Sequence, residues 1–560
     1  MKIDYARELN PAQLEAVRST HGPHLVIAGA GSGKTRVLVY RVAYLMEQGI
    51  DPGEILLLTF TRKAAEEMLR RASILLDSRC QRVAGGTFHS FANLTLRKYG
   101  NLIGLARNFT ILDRSDAEDI INLIRSQLGF NKLQKRFPRK RTILELISKS
   151  INKSEELGVV LYDEYPQFIE FEEEIKKIQK EYHAYKRAKA LLDYDDLLVE
   201  LKQLLSGNEQ IRARLSNKYK YIMVDEYQDT NKLQAHIACL LASEHKNIMV
   251  VGDDAQSIYS FRGANFKNIM DFPKIFKETK IITLEENYRS TQPILSLTNE
   301  VIRQAKEKFQ KSLFTRKKEG SLPLFIDARD ENSQSKFVAD KILQLREEGV
   351  NLGDIAVLFR SGWHSNDLEI ELTSRNIPFV KYGGQKFVEA AHIKDVISYL
   401  RIVYNIFDAV SWYRALLLMR GVGPKTAQMI IDEVIGKNKG LKIDEKILQK
   451  KEDVGKLFEI LKKIDPSECG PAHLLEVFLR YYQPLLREKY DDFNKRLNDL
   501  DSLLRIAERY LSLEKFLTDM ALEPPERSIV EAGLKDKDEV PLTLSTIHSA
   551  KGLEWHTVFL

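Results

Sequence analysis

The sequence predicts an α/β fold in which two parallel-sheet cores each carry a long, mostly helical insertion. Two observations predict it. First, short apolar runs end in polar residues: HLVIAGAG, EILLLTFT, KYIMVDEYQD, NIMVVGDD, KIITLEENYR and DIAVLFR. Such runs, each followed by a helix-like segment, read as strands buried on both faces of a parallel sheet. They group at 24–91, 219–290 and 354–382, with a last group at 541–560. Second, the stretches 92–215 and 390–535 are rich in Leu, Glu, Lys and Arg at helical spacing. Leu191, Leu192, Leu197, Leu198, Leu201, Leu204 and Leu205 form one such stripe, with Asp193 as the N-cap that opens it. No internal repeat or low-complexity linker interrupts these stretches, so they read as folded. The expected division is therefore 1–91 and 216–280 for the first core, around an insertion at 92–215. Residues 281–383 and 541–560 form the second core, around an insertion at 384–540.

Length and composition bound the answer. At 560 residues the chain exceeds one core, and at about 150 residues per domain it divides into several units. Its 44% apolar and 29% charged residues are those of a globular protein. No apolar run reaches the roughly 20 residues of a membrane helix, and the N-terminus has no apolar signal segment. Cys80, Cys239 and Cys469 lie far apart without metal-ligand spacing. This disfavours disulfides and structural zinc and suits a reducing cytoplasm. Net charge is 85 − 79 = +6, which permits a polyanionic partner without demanding one. Lys132, Lys135, Arg136, Arg139, Lys140 and Arg141 are a denser basic cluster, either a solvated loop or a contact for a phosphate backbone.

Chemistry concentrates where the apolar runs end. Ala28, Gly29, Ala30, Gly31, Ser32, Gly33, Lys34 and Thr35 spell AGAGSGKT between a strand and a helix. Glycines let backbone N–H groups turn toward phosphate oxygens, and the helix N-terminus adds partial positive charge. Lys34 then reaches the β- and γ-phosphates and the Thr35 hydroxyl ligates Mg²⁺. The usual motif starts with Gly where this chain has Ala28. Asp225 and Glu226 end a buried strand, and hydrolysis of a nucleoside triphosphate needs such a pair: Asp225 for Mg²⁺, Glu226 to take a proton from the attacking water. Gln256 follows another strand and can sense the γ-phosphate; Tyr259, Phe261 and Arg262 beside it offer flat faces and charge for bases, or are simply core aromatics. Tyr288 can stack on a base, and Arg289 can act as an arginine finger from the second core. Gly421-Val422-Gly423-Pro424-Lys425-Thr426 is either a helix–helix turn or a contact with a duplex backbone.

In this order the motifs resemble superfamily 1 DNA helicases of the UvrD/Rep/PcrA type. The resemblance covers essentially the whole chain. It is carried by Leu9, Asn10 and Gln13, by TFTRKAAEEM at 59–68, GTFHSFA at 86–92 and LLDYDDLL at 191–198. It continues through VDEYQDTN at 224–231, VGDDAQSIYSFRGA at 251–264, LEENYRS at 284–290, YGGQKFVEAAHIKDVISYLR at 382–401 and TIHSAKGLEW at 546–555. It implies two RecA-like P-loop cores that bind ATP between them, with ATP and Mg²⁺ as cofactors. Gln13 would read the adenine with Arg36 nearby, Tyr288 would stack on it, and Glu554 would reach the nucleotide from the second core. Phe60, Thr61, Lys63, His89, Tyr194, Tyr259, Phe261, Arg262, Arg360 and His548 would grip single-stranded DNA. Gly421, Gly423, Lys425 and Thr426 would meet the duplex.

The implied activity is ATP-dependent translocation 3′ to 5′ on single-stranded DNA with unwinding of forked duplex. Repair or replication restart would be its setting, in a prokaryotic cytoplasm close to the nucleoid, with repair or replication proteins as further partners. The chain departs from the family pattern at three places. Phe261 stands where Trp is commoner, Tyr194 where Phe is commoner, and Ser361 to Asp367 replace a polar run. The family also continues past the point matching Leu560, to a final motif with a second arginine facing the γ-phosphate. An arginine of that kind is worth about 10³–10⁵ in rate. An alternative expectation is thus a truncated DNA- or nucleotide-binding module with little turnover. A helicase–nuclease fusion and a nucleotide kinase are remoter alternatives.

Overall fold

His24–Ala28 (β1) is buried along its length and is followed by Ile55–Thr59 (β2) and Ala84–Thr87 (β3). Thr110–Ile111 (β4) and Leu191–Leu192 (β5) pair with each other, parallel, inside the helical insertion. Tyr221–Val224 (β6), Ile248–Gly252 (β7) and Lys280–Leu284 (β8) return to the first sheet. In this computed structural model the six strands run in the order β3-β2-β6-β7-β1-β8, with every pair parallel. The central strands are buried along their length and consist mostly of Val, Ile, Leu and Met, as in a parallel sheet covered on both faces; the two edge strands, β3 and β8, are partly exposed. The structure describes residues 3–130, 137–260, 263–318, 320–382, 387–437, 441, 451–465, 469–490, 493–522 and 540–560.

Contacts divide the chain into two units, Met1–Pro323 and Leu324–Leu560. In the second, Ile355–Phe359 (β9), Phe379–Tyr382 (β10), Leu542–Thr546 (β11) and Thr557–Phe559 (β12) form a parallel sheet in the order β10-β11-β9-β12. Helices Glu331–Glu347 and Asn366–Ser374 bury Val338, Ile342, Leu368 and Leu372 with the sheet residues Ile355, Leu542 and Leu544. Seven α-helices among the described residues, from Ala391–Tyr404 to Leu513–Leu522, build a separate core around Tyr399, Trp412, Phe458, Phe478 and Tyr482. Each unit therefore holds one main parallel sheet and one helical insertion.

One sequence expectation is corrected. Leu191 and Leu192 do not belong to the helical stripe: the helix is Tyr194–Gly207, and Asp193, its N-cap, accepts from Asp196 N–H. An N-cap has extended backbone, so the residues before it were free to pair as β5 instead. Residues 281–323 group by contacts with the first unit, and β8 pairs along β1 with Ile27 opposite Thr283 and Ala28 opposite Leu284.

Candidate functional site

The carboxyl ends of the first sheet's strands carry most of the polar residues singled out in the sequence. At the end of β1 the chain enters Gly29–Gly33 and then the helix Lys34–Glu47. Gly31 and Gly33 have φ of +74° and +87°, the left-handed region that glycine enters without strain. Gly33 also lacks room for a side chain, since a Cβ there would stand 2.6 Å from Gln13 Nε2. Gln13 is buried; its amide donates to Ser32 O at 3.0 Å, and it shares a capping box with Asn10. The loop is thus shaped from beneath by a glutamine near the start of the chain.

Beside this loop, β6 runs into Asp225, whose N–H donates to Leu58 O and extends the ladder by one bond. Glu226 then turns left-handed, with φ 50° and ψ 44°. That conformation costs a non-glycine residue about 1–2 kcal/mol. It ends the strand and brings Glu226 Oε2 to 3.4 Å from Lys34 Nζ. Gln228, fully buried, donates to the same oxygen, while its carbonyl accepts from Asp253 N–H at 2.9 Å. Asp253 Oδ2 in turn accepts from Gln256 Nε2 at 2.6 Å. Lys34, Glu226, Gln228, Asp253 and Gln256 are therefore one connected network across the ends of β1, β6 and β7.

The loop after β8 closes against the phosphate loop. Asn287 Nδ2 donates to Ala30 O, and Tyr288 N–H donates to Gly31 O at 2.9 Å. A Cβ on Gly31 would stand 2.6 Å from Arg289 Cβ. By contacts Arg289 groups with the unit that holds Lys34, and it follows β8, an edge strand of the same sheet. Tyr288 is 48% exposed, with its hydroxyl accepting from Asn10 Nδ2 at 3.0 Å, so a ring face is open to solvent. Arg36 is engaged with Glu8, through both its carboxylate and its carbonyl, and lies over the Tyr40 ring.

A second group stands at the ends of β2, β3 and β7. Phe60 stacks on Tyr259 with ring centroids 5.0 Å apart and planes 18° apart. Tyr259 is buried and Phe60 is 40% exposed, so Phe60 is the accessible ring and Tyr259 its backing. Thr61 caps the helix Arg62–Leu75 by accepting from Ala64 N–H, and Lys63 is exposed in the first turn. His89 meets Tyr194 edge to face at 5.6 Å. Burial pulls the His89 imidazole down to about 4, so it is neutral at pH 7. Phe261 and Arg262 lie outside the described residues, as do Lys132, Lys135, Arg136 and 383–386 of the expected motifs.

The chain matches the UvrD/REP helicase N-terminal domain over residues 9–277 and the UvrD-like helicase C-terminal domain over residues 282–560. The chain belongs to the UvrD/Rep helicase family. It is 34% identical to the ATP-dependent DNA helicase PcrA of Staphylococcus epidermidis over 579 residues, spanning 99% of this chain and 77% of that protein. It is 35% identical to the protein of the same name from Staphylococcus aureus over 580 residues, with the same shares. The two family domains meet between 277 and 282, close to the core boundary expected from sequence, whereas the packing boundary falls at 323. Between the two boundaries the chain carries β8, the Tyr288–Arg289 loop and the helix Gln292–Arg303.

In the second unit of this UvrD-type helicase, Arg360 is exposed at the end of β9 and His548 is half-buried after β11. Glu554 is exposed between β11 and β12. Ser361 to Ser365 form a short turn in which Ser365 and Lys381 both bond Glu369. Gly421 is left-handed at φ +67°, Gly423 is the N-cap of Pro424–Ile431, and Lys425 is exposed in its first turn. Thr426 is half-buried in the same turn. Sequence reading assigned no role to Gln228, which hides inside VDEYQD, or to Lys311, which lies in no strand-end motif. For Gln228 the sequence offered only its place two residues past Glu226; its full burial, which obliges a polar side chain to hydrogen-bond, is visible only in the fold.

Proposed function

We propose that this helicase is an ATP-driven motor that moves 3′ to 5′ along single-stranded DNA and unwinds forked duplex, in repair or replication restart. The observation that supports the reading is that the carboxyl ends of one sheet's strands carry both the glycine loop with the Lys34, Glu226 and Gln256 network and the exposed Phe60 and Lys63. Lys34 and the loop N–H groups hold the β- and γ-phosphates, and Tyr288 stacks on the adenine that Gln13 helps to select. Arg289 lies beside the loop to meet charge on the γ-phosphate. Glu226 takes the proton of the attacking water as the bond between β-phosphate oxygen and γ-phosphorus breaks and ADP leaves. Lys34 Nζ lies 3.4 Å from Glu226 Oε2, so the group that holds phosphate and the base that serves the water stand side by side.

Mg²⁺ fits the donor set. The Thr35 hydroxyl and the Asp225 carboxylate are hard oxygen donors, and Mg²⁺ is commonly held by one or two such groups with substrate phosphates and water completing the shell. Bound there, it would neutralise phosphate charge. Such a site needs no cage of protein carboxylates, and among the described residues no cluster of three or more His, Cys, Asp or Glu is placed to form one.

Phe60 on Tyr259, with Thr61, Lys63, His89 and Tyr194, forms the strand-facing surface of the first unit; stacking of this kind holds bases without reading sequence. Arg360 and His548 supply the second unit's contacts to the strand. Gly421, Gly423, Lys425 and Thr426 offer backbone N–H groups and one cation to a duplex. No helix among the described residues is long and apolar enough to cross a membrane, and a cytoplasmic, nucleoid-associated location fits the proposed substrate. Direction is tested with partial duplexes. Unwinding with ATP of a duplex bearing a 3′ single-stranded tail, and little unwinding with a 5′ tail, is expected. The opposite preference would overturn the assigned polarity.

A further inference from the structure

After the helix Gln292–Arg303 the chain runs back across the nucleotide site as an irregular strap. Lys311 is its buried anchor. Its side chain is 5% exposed and its ammonium bonds both Asp253, at 2.5 Å, and Asp254, themselves 3% and 4% exposed. Phe309 N–H donates to the other oxygen of Asp254 at 3.1 Å. Leu313, tied at both its N–H and its carbonyl to Asn299, lies over the phosphate loop: a Cβ on Gly29 would stand 2.4 Å from it. Phe314 then pairs its backbone with Glu285 and Asn287, just before Tyr288 and Arg289. The strap therefore touches three parts of the site in turn.

We propose that Lys311 is a positioning residue for ATP hydrolysis, holding Asp253 so that Asp253 can aim Gln256 and, through Gln228, Glu226. This rests on reading Gln256 and Glu226 as hydrolytic residues. Asp253 is the common node. Its Oδ1 accepts from Lys311 and from Ala255 N–H, its Oδ2 accepts from Gln256 Nε2, and its own N–H donates to Gln228, which bonds Glu226. Two adjacent buried carboxylates need a counter-charge, and Lys311 is placed to supply it. Burial opposes its charge, but the two aspartates outweigh that and hold it above the ordinary lysine value. Without the ammonium, Asp253 and Asp254 repel, and the Gln256 and Gln228 bonds lose their fixed acceptor and donor.

The test compares Lys311→Met, Lys311→Arg, Gln256→Ala and the double variant Lys311→Met/Gln256→Ala in DNA-stimulated phosphate release, with ADP affinity measured alongside. Lys311→Met is expected to lower kcat about tenfold or more while ADP affinity and KM for ATP change less than about threefold, and Lys311→Arg to restore most of the rate. The double variant is expected to be no slower than the slower single variant, the sign of a shared route. Additive losses in the double variant, a loss in ADP affinity that matches the loss in kcat, or an unchanged kcat in Lys311→Met would overturn the proposal. An unchanged kcat in Gln256→Ala overturns the reading of Gln256 itself, and with it this route. If Lys311→Met does not fold, Lys311→Arg with full rate beside Lys311→Gln with reduced kcat decides in favour, and equal rates decide against.

Discussion

At Glu226 a single backbone angle decides what the side chain can do. Continued as a strand, residues 225 and 226 would point to opposite faces of the sheet. The left-handed turn breaks that alternation and returns the Glu226 carboxylate to Lys34 and Gln228. Glu226→Gln keeps the shape and removes the proton acceptor, so kcat should fall by about 10²–10⁴ with KM for ATP little changed, as measured by steady-state phosphate release. An equal loss in kcat and in ATP affinity would make Glu226 a binding group instead. The identities of Lys34, Asp225, Glu226 and Gln256 were legible because each ends an apolar run. Lys311 was not, because it becomes a site residue only when a distant segment folds back over the sheet. Its neighbours in sequence, Gln310 and Ser312, say nothing of Asp253.

Among elements, β1 shows how burial sets chemistry away from the site. His24 opens the strand at 2% exposure, with Nδ1 2.9 Å from Gly22 O. Burial first, and the charge of Arg41 second, pull its imidazole down to about 4. The unfolded chain binds this proton near pH 6.5, so the contribution is whole above that value and is lost as pH falls toward 4. Between pH 7.5 and pH 5 the loss from this group is about 2 kcal/mol. Urea unfolding should show the parent protein losing about that much more stability over this interval than His24→Asn. Identical losses in both would remove His24 from the account. Strands at the sheet centre were legible as apolar runs for the same reason of burial. The pair β4 and β5 was not: two residues long, each hides among leucines whose spacing also suits a helix, and only the cap at Asp193 marks where the helix starts.

For the whole molecule, two sheets and two helical insertions follow from the alternation of apolar strand runs with leucine-rich stretches. The run KIITLEENYR marks the place where the two family domains meet, between 277 and 282, while its register with β1 adds this strand to the first sheet. That placement puts Tyr288 and Arg289 against the same loop as Lys34, at the end of the sheet where the proposed nucleotide and single-strand contacts also lie. The central claim is that nucleotide turnover at this end of the sheet is coupled to DNA. It is tested most directly by phosphate release from ATP with and without single-stranded DNA, in the parent protein and in Lys34→Ala. Multiple turnovers, a rate raised by DNA, and loss of that turnover in Lys34→Ala are expected. DNA-stimulated turnover that survives in Lys34→Ala, or a rate that DNA does not change, would contradict it.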